Sequence, residues 1–157
     1  EDRSQKSEVR SQTTEHRAQT EAGGGQLVPA MTVKAKLLAI RRLPANTPVS
    51  YGRTFITARE SLIGVVSVGY ADGFSRRFSN NAWFLVRGRQ VPVVGRVCMD
   101  LTMVDLTGVD DAREGDEVVI MGGSEDACGL ALRADTIPYE ILTSLGSRAK
   151  KVYRFRD

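Results

Sequence analysis

Four short segments of the sequence place tyrosine, or an arginine and an aspartate, beside glycines or predicted strand ends. They are VSYGRTF (residues 49–55), GYADGF (69–74), VGRVCMD (94–100) and TIPYEIL (136–142). Glycine allows unusual backbone dihedrals and the close approach of a ligand. The polar side chains beside it can exchange protons or bind anions. Composition and spacing alone therefore indicate a domain whose polar loops surround one site.

The histidine content narrows the chemistry of that site. His16 is the single histidine of the sequence and lies in its polar N-terminal segment. We therefore expect no Ser-His-Asp triad, no Cys-His pair and no metal site in the folded part. Acid–base chemistry then rests on tyrosine, lysine, cysteine or carboxylates. Because a free phenol has a pKa of about 10, a tyrosine base needs a nearby cation and a fixed hydrogen-bond network.

The composition is that of one globular domain. The chain has 157 residues, of which 41% are hydrophobic and 26% are charged. We expect a cytoplasmic protein that binds no membrane, since there is no secretory signal and no apolar run near the ~20 residues that span a bilayer. The net charge of +3 is small and scattered, which does not favour a nucleic-acid partner. Cys98 and Cys128 form no CxxC pair, and we predict two buried, reduced thiols.

The pattern of elements changes after the N-terminal segment. Residues 1–25 are polar and end in three glycines, which predicts a disordered tail or linker before a domain over residues 26–157. Short apolar runs then predict strands over residues 31–40, 61–68, 83–86, 90–94, 102–106, 116–121 and 151–155. Residues 42–48 indicate a turn-rich connection, and Gly88 a hairpin turn.

Only residues 130–135 and 139–145 have helical periodicity, with Thr136 as a predicted cap before Pro138. The predicted fold is mainly β. It is a Greek-key-like barrel with one or two short C-terminal helices, preceded by the disordered tail.

Four longer motifs make a family resemblance specific. VSYGRTF, VGYADGFSRRFSN, VPVVGRVCMD and DTIPYEIL resemble, in this order, signatures of the C-terminal domain of alanine racemases. The resemblance covers residues 27–155. It implies an N-terminal (β/α)8 barrel that holds pyridoxal phosphate on a lysine, and a head-to-tail homodimer in which each C-terminal domain completes the partner's site. It also implies interconversion of L- and D-alanine for peptidoglycan, and an isolated domain that is inactive.

The resemblance assigns roles to seven positions. Tyr51 matches the base that handles the α-proton of the L-enantiomer, and Met99 matches a residue whose backbone N–H binds the substrate carboxylate. Tyr139 matches a tyrosine that hydrogen-bonds the cofactor phosphate. Tyr70 matches the inner-gate tyrosine of the family's entrance corridor. Polar residues that line this corridor are matched by Arg76, Arg96 and Asp100.

Each role has a purely structural alternative. Tyr51 could be a buried strand tyrosine, Met99 a core methionine, and Tyr139 a helix-start aromatic packed on the barrel. Arg76, Arg96 and Asp100 could form ordinary surface ion pairs. Two functional alternatives also stand beside the racemase: a related amino-acid racemase or decarboxylase, and a small β-barrel that binds single-stranded nucleic acid.

The sequence also departs from the family. The VKAK run containing Lys34 and Lys36 superficially resembles the family's cofactor-lysine segment, but its aromatic and Gly-His-Gly parts are missing. We predict outward strand positions for both lysines and no cofactor lysine in this chain. A lysine also replaces the usual proline within residues 146–153.

Overall fold

A computed structural model describes residues 30–146 and 148–154 of the chain. The predicted tail over residues 1–25 lies outside the described residues. Within the described residues, no helix combines the length and the apolar character needed to cross a membrane.

Eight strands lie within the residues that the structure describes. They are β1 Val33–Leu43, β2 Pro48–Val49, β3 Phe55–Ile56, β4 Ser61–Val66, β5 Trp83–Val86, β6 Arg89–Pro92, β7 Thr102–Asp105 and β8 Glu117–Met121. Six of them form one antiparallel sheet in the order β6-β5-β8-β1-β4-β7, while β2 pairs with β3. A bridge between Val93 and Val104 joins the two edges of the large sheet, which nearly closes into a barrel. The predicted mainly β barrel is confirmed.

Strand β1 is the central strand of the barrel. Its first half pairs with β8 and its second half pairs with β4. A bulge at Leu38, between the pairs Leu37↔Val66 and Ala39↔Val65, changes which face each side chain meets. Leu37 is fully buried, whereas Leu38 is 50% exposed. One strand can therefore serve both halves of a strongly curved sheet.

Aromatic rings fill one part of the barrel interior. Phe74 stacks on Phe78 with ring centroids 4.4 Å apart, and it meets Phe84 at 5.1 Å. All three side chains are fully buried, and buried aromatic pairs add to the stabilisation from apolar burial. Phe74 and Phe78 belong to the segment that follows GYADG, so the core anchors this polar motif.

Two short helices follow the barrel strands, as predicted. Helix α1 spans Ala127–Ala134 and begins at Asp126, whose carboxylate accepts a hydrogen bond from the Gly129 N–H. Helix α2 spans Pro138–Ser144, with the proline in its first turn. The predicted cap at Thr136 is wrong. The N-cap residue is Ile137, and the Thr136 hydroxyl donates to the side chain of Glu140 instead.

Three further predictions need correction. Residues 42–48 are not only a connection, because β2 begins at Pro48. The predicted last strand is absent over residues 151–154, where Val152 and Tyr153 are exposed. The cysteines are not buried, since Cys98 is half-buried and Cys128 is exposed.

The two lysines of β1 occupy outward positions, as predicted. Lys34 Nζ lies 2.7 Å from Glu117 Oε1 on the neighbouring strand β8. Lys36 Nζ donates to the Gly115 carbonyl at 3.1 Å. Both lysine side chains therefore have bonding partners on the outer surface of the barrel.

An ion pair ties the β5–β6 turn to the loop before β8. The turn residues Arg87 and Gly88 have φ values of 50° and 76°, as a tight two-residue hairpin requires. Arg87 donates from Nε and Nη2 to Asp116 at 2.8 and 3.1 Å. This side-chain hydrogen bond, with a second from the Arg113 N–H, lowers the pKa of Asp116 below its ordinary value.

Replacing Leu37 by alanine tests the central position of β1. We expect Leu37→Ala to lower the free energy of unfolding by about 2–5 kcal/mol, because a fully buried leucine leaves a cavity. Leu38→Ala, on the adjacent exposed residue, should change it by less than about 0.5 kcal/mol. Urea unfolding followed by circular dichroism measures both. Equal losses would show that the two faces of β1 are wrongly assigned.

The Arg87–Asp116 pair predicts an acid-dependent loss of stability. Because the pKa of Asp116 is lowered in the folded state, its contribution is complete above the unfolded value of about 3.9 and is lost as the pH falls through the lower folded value. Asp116→Asn should remove this part of the pH dependence and flatten the acid limb. Urea midpoints from neutral pH downward give the comparison. An unchanged acid limb in the variant would contradict the assignment.

Candidate active site

A surface groove collects most of the predicted site residues. Its volume is about 530 Å³, and its lining is Tyr51, Tyr70, Arg76, Arg96, Val97, Cys98, Met99, Asp100 and Leu101. Six of the seven predicted positions are among these residues. The missing one is Tyr139, the second residue of α2, which is 74% exposed. Its predicted alternative, an aromatic packed on the barrel, is therefore wrong.

Tyr51 stands on a strained turn between β2 and β3. The turn spans Tyr51–Arg53, and Ser50, Gly52 and Arg53 all have positive φ values. The Ser50 hydroxyl donates to the Arg96 carbonyl at 2.7 Å, which fixes the turn against the loop that follows β6. Tyr51 is 75% exposed, so the alternative of a buried strand tyrosine is wrong.

Arg96 passes directly over the glycine of this turn. A β-carbon built at Gly52 would lie 2.9 Å from Arg96 Nε, so a side chain there would displace the guanidinium group. The φ of Gly52 is also +71°, a conformation that glycine adopts without steric cost. Glycine at this position brings the Arg96 side chain close to Tyr51.

The GYADG turn lies against the backbone that carries Met99. The N–H groups of Tyr70 and Ala71 donate to the carbonyls of Cys98 and Met99 at 3.0 and 2.9 Å. A β-carbon on Gly69 would collide with both of those carbonyls. Since the dihedrals of Gly69 are extended, glycine is needed there for space and not for its conformation.

The other end of the same turn lies against α2. Gly73 has a φ of +89°, and a β-carbon on it would collide with the backbone of Ser144 and Leu145. The Gly146 N–H donates to the Asp72 carbonyl at 3.1 Å. The turn is thus held between the Met99 segment and the end of the helix that carries Tyr139.

The geometry leaves the Met99 N–H available. Within the described part of the chain, it takes part in no backbone hydrogen bond, although both neighbouring carbonyls are used. The Met99 side chain is 53% exposed, so the alternative of a core methionine is wrong. An unused N–H beside a groove is a ready donor for an anionic ligand.

Arg148 connects the turn with the groove. Its Nη2 lies 2.9 Å from Asp72 Oδ1 and 2.6 Å from Asp100 Oδ1. Hydrogen bonds to Asp100 and then to Asp72 raise the pKa of Arg148 above its ordinary value. Asp72 also accepts from the Gly69 N–H at 3.0 Å through its other oxygen. The alternative of a surface ion pair therefore holds for Asp100, which nevertheless lines the groove.

Asp72 and Arg148 are not among the predicted site residues. Asp72 is part of the GYADG motif, so the sequence did contain a signal for a role at the site. Arg148 follows α2 with no local pattern, and only the fold brings it to the groove. The groove presents two phenols, two guanidinium groups and one unused N–H, and its one carboxylate, Asp100, is paired with Arg148. This set suits an anionic ligand such as a carboxylate or a phosphate.

Comparison with known proteins supports the family resemblance that the four motifs indicate. The family model "Alanine racemase, C-terminal domain" matches residues 30–153. The chain belongs to this family. It is 56% identical to an alanine racemase of Thermodesulfovibrio yellowstonii over 135 residues, which are 83% of this chain and 37% of that protein. The chain thus spans about a third of the length of the relatives it matches.

Solved structures of alanine racemases share the fold. The biosynthetic alanine racemase of Pseudomonas aeruginosa matches with a TM-score of 0.78 and 37% identity, over 82% of this chain and 36% of that one. An alanine racemase of Bartonella henselae with covalently bound pyridoxal phosphate matches with a TM-score of 0.76 and 39% identity, over 78% and 34%. The coverage implies an N-terminal domain in the complete relatives, in addition to the part described here.

The contacts of the GYADG turn predict which substitutions matter for stability. We expect Gly69→Ala to lower the free energy of unfolding by about 1–3 kcal/mol, because the added carbon meets backbone atoms that cannot move aside. Arg148→Met should change it by less than about 1 kcal/mol, since both ion pairs are partly exposed. Thermal and urea unfolding provide the test. A larger loss in Arg148→Met would mean that charge, and not backbone packing, holds the turn.

Proposed function

We propose that this chain is the C-terminal third of a pyridoxal-phosphate-dependent alanine racemase, and that Tyr51 is its base for L-alanine. The observation that carries the proposal is one groove lined by the exposed Tyr51 phenol and by Met99, whose N–H is unused. The family assignment supplies the reaction, and the groove supplies a proton-transfer group beside an anion donor. The enzyme would act in the cytoplasm and supply D-alanine for peptidoglycan.

Substrate binding and proton transfer are carried out by different residues of the chain, Met99 and Tyr51. The Met99 N–H holds the substrate carboxylate, which fixes the α-carbon relative to Tyr51. The Tyr51 oxygen, acting as the phenolate, takes the α-proton of L-alanine, so an O–H bond forms as the Cα–H bond breaks. A second base, the lysine supplied by the N-terminal domain, delivers a proton to the opposite face of the α-carbon and so gives D-alanine. The reverse sequence restores L-alanine. Positioned proton transfer of this kind requires contact distances near 3 Å.

The cofactor matches the donor chemistry of the chain. Pyridoxal phosphate, when bound, withdraws electrons from the α-carbon of the amino acid and makes its proton acidic. Tyr139 is exposed on α2, and its hydroxyl is a suitable donor to a phosphate oxygen. The family resemblance places the lysine that carries the cofactor in the N-terminal domain, and Lys34 and Lys36 already have partners on the outer face of β1.

The polar groove residues form the entrance corridor. Tyr70 is the inner gate of this corridor, and Arg76, Arg96 and Asp100 line the path. Two guanidinium groups attract the carboxylate of an incoming amino acid, while Asp100 and its partner Arg148 fix one wall. This arrangement favours small zwitterionic substrates such as alanine.

The rest of the active site comes from a second subunit. The relatives are about three times as long as the matched segment, and an exposed base needs groups around it that activate its hydroxyl. A head-to-tail homodimer would place the (β/α)8 barrel of one subunit over the groove of the other. The isolated chain should therefore be inactive. A related racemase or decarboxylase and a nucleic-acid-binding barrel are not favoured, because the matched relatives are alanine racemases.

Replacing Tyr51 in a complete enzyme tests the proposal. The host is a chimera in which this domain replaces the matched third of the T. yellowstonii enzyme. Tyr51→Phe removes one hydroxyl and should lower racemisation about 10²–10⁴-fold in both directions, since the equilibrium constant cannot change. Exchange of the α-hydrogen with deuterated solvent should fail for L-alanine and persist for D-alanine, because the second base serves the other face.

Tyr70→Phe is the matched control for this experiment. It removes a hydroxyl from the same groove and should mainly raise KM through slower substrate entry. If Tyr51→Phe exchanges both enantiomers at the unmodified rate while Tyr70→Phe exchanges neither, the base has been assigned to the wrong tyrosine.

A further inference from the structure

Asn80, the last residue of the VGYADGFSRRFSN motif, connects two loops of the site through one side-chain amide. Its Oδ1 accepts a hydrogen bond from the Gly95 N–H at 2.5 Å. Its Nδ2 donates to the Thr54 hydroxyl oxygen at 3.1 Å. Asn80 has a φ of +55°, a conformation that asparagine tolerates better than most residues. Neither bond is part of the roles assigned above.

The two bonded positions lie on either side of Tyr51 in space. Thr54 directly follows the Tyr51–Arg53 turn. Gly95 directly precedes Arg96, whose carbonyl accepts the Ser50 hydroxyl on the other side of the same turn. The chain of contacts therefore runs from one end of the turn, through the Asn80 amide and residues 95–96, to the other end.

The neighbouring Ser79 strengthens this connection. Its hydroxyl oxygen accepts a hydrogen bond from the Val97 N–H at 3.0 Å. Two consecutive side chains, at positions 79 and 80, thus hold the backbone that leads to Met99. The same amide of Asn80 then fixes the Tyr51 turn to that backbone.

The Tyr51 turn needs such an external support. Ser50 and Arg53 have φ values of 62° and 50°, which are unfavourable for residues other than glycine and persist only where the surroundings hold them. Tyr51 itself is largely exposed, so its own packing cannot fix the turn.

We infer that Asn80 is a positioning residue, whose amide sets the place of the Tyr51 phenol relative to the Met99 N–H. The structural part of this inference is independent of the reaction. Its kinetic part rests on the proposed function, because it concerns the base for L-alanine. Displacing a reacting group by about 1 Å can cost on the order of 10²-fold in rate, so a clamp on an exposed base has a large effect.

Four variants separate the clamp from general stability. Asn80→Gly keeps the positive φ accessible and removes both side-chain hydrogen bonds. Thr54→Val removes only the hydrogen bond from Asn80 Nδ2 to the Thr54 hydroxyl. Asn80→Asp keeps an acceptor for the Gly95 N–H and can accept from the Thr54 hydroxyl, so it should restore most of the effect. Asn81→Ala is the matched control, since the neighbouring Asn81 donates one hydrogen bond to the Arg133 carbonyl at the end of α1.

The structural part is tested by fluorine NMR on the full chain labelled with fluorotyrosine. The Tyr51 resonance is assigned by its disappearance in Tyr51→Phe. We expect it to shift or broaden in Asn80→Gly and in Thr54→Val, and to stay in place in Asn80→Asp and Asn81→Ala. A Tyr51 resonance that is unchanged in Asn80→Gly, or that changes equally in Asn81→Ala, would overturn the inference.

The kinetic part is tested in the chimeric racemase, with solvent-deuterium exchange measured separately on each enantiomer. We expect Asn80→Gly to lower kcat and the exchange of L-alanine about 10–100-fold, with much smaller effects on KM and on the exchange of D-alanine. Equal losses for both enantiomers, or a loss matched by Asn81→Ala, would reject the positioning role. If Tyr51→Phe has no effect on exchange, the proposed function fails, and the resonance experiment still decides whether Asn80 positions the Tyr51 turn.

Discussion

The site depends on a contact between backbones that only glycine permits. Gly69 and Gly73 bound a three-residue turn, and each lies so close to another segment that a β-carbon would collide with main-chain atoms. At one end these atoms are the carbonyls of Cys98 and Met99, and at the other they belong to the last residues of α2. Because backbone atoms cannot rotate away as a side chain can, this contact fixes distances more firmly than any exposed ion pair.

The barrel gives that contact its rigidity. Phe74 and Phe78 follow the turn directly and lie in the core beside Phe84, so apolar burial holds the polar segment in place. The Tyr70–Asp72 turn donates two hydrogen bonds to the Met99 segment. The Asn80 amide then connects this segment to the Tyr51 turn. The groups that could act on a substrate are therefore exposed, while the groups that hold them are buried or bonded to backbone.

The exposure of the proposed site residues agrees with the proposal that they form one half of a site. Tyr51, Met99 and Tyr139 are each more than half exposed, and a proposed base that is open to water lacks the enclosed surroundings in which proton transfer is efficient. The matched relatives are about three times longer than the matched segment, and the proposal places the other half of the site in that additional part. Charge contributes mainly to placement, since the Arg148 pairs with Asp72 and Asp100 are too exposed to stabilise the fold strongly.

The family, the mainly β architecture and six of the residues that line the groove could be predicted from the sequence alone. Short apolar runs predicted β1, β4, β5, β6, β7 and β8, and the motifs that resemble the family signatures pointed to Tyr51, Tyr70 and Met99. The prediction failed where contacts between distant residues decide the outcome. The predicted cap at Thr136 and the predicted strand over residues 151–154 were wrong, because local patterns do not show that Glu140 accepts the Thr136 hydroxyl or that Val152 and Tyr153 stay exposed.

The three-dimensional fold alone shows that six predicted residues share one groove, that Arg148 pairs with Asp100 of this groove, and that Asn80 accepts a hydrogen bond from Gly95. The Arg148–Asp72 pair spans 76 positions of the chain, and such pairings arise from the closure of the barrel and not from local sequence preference.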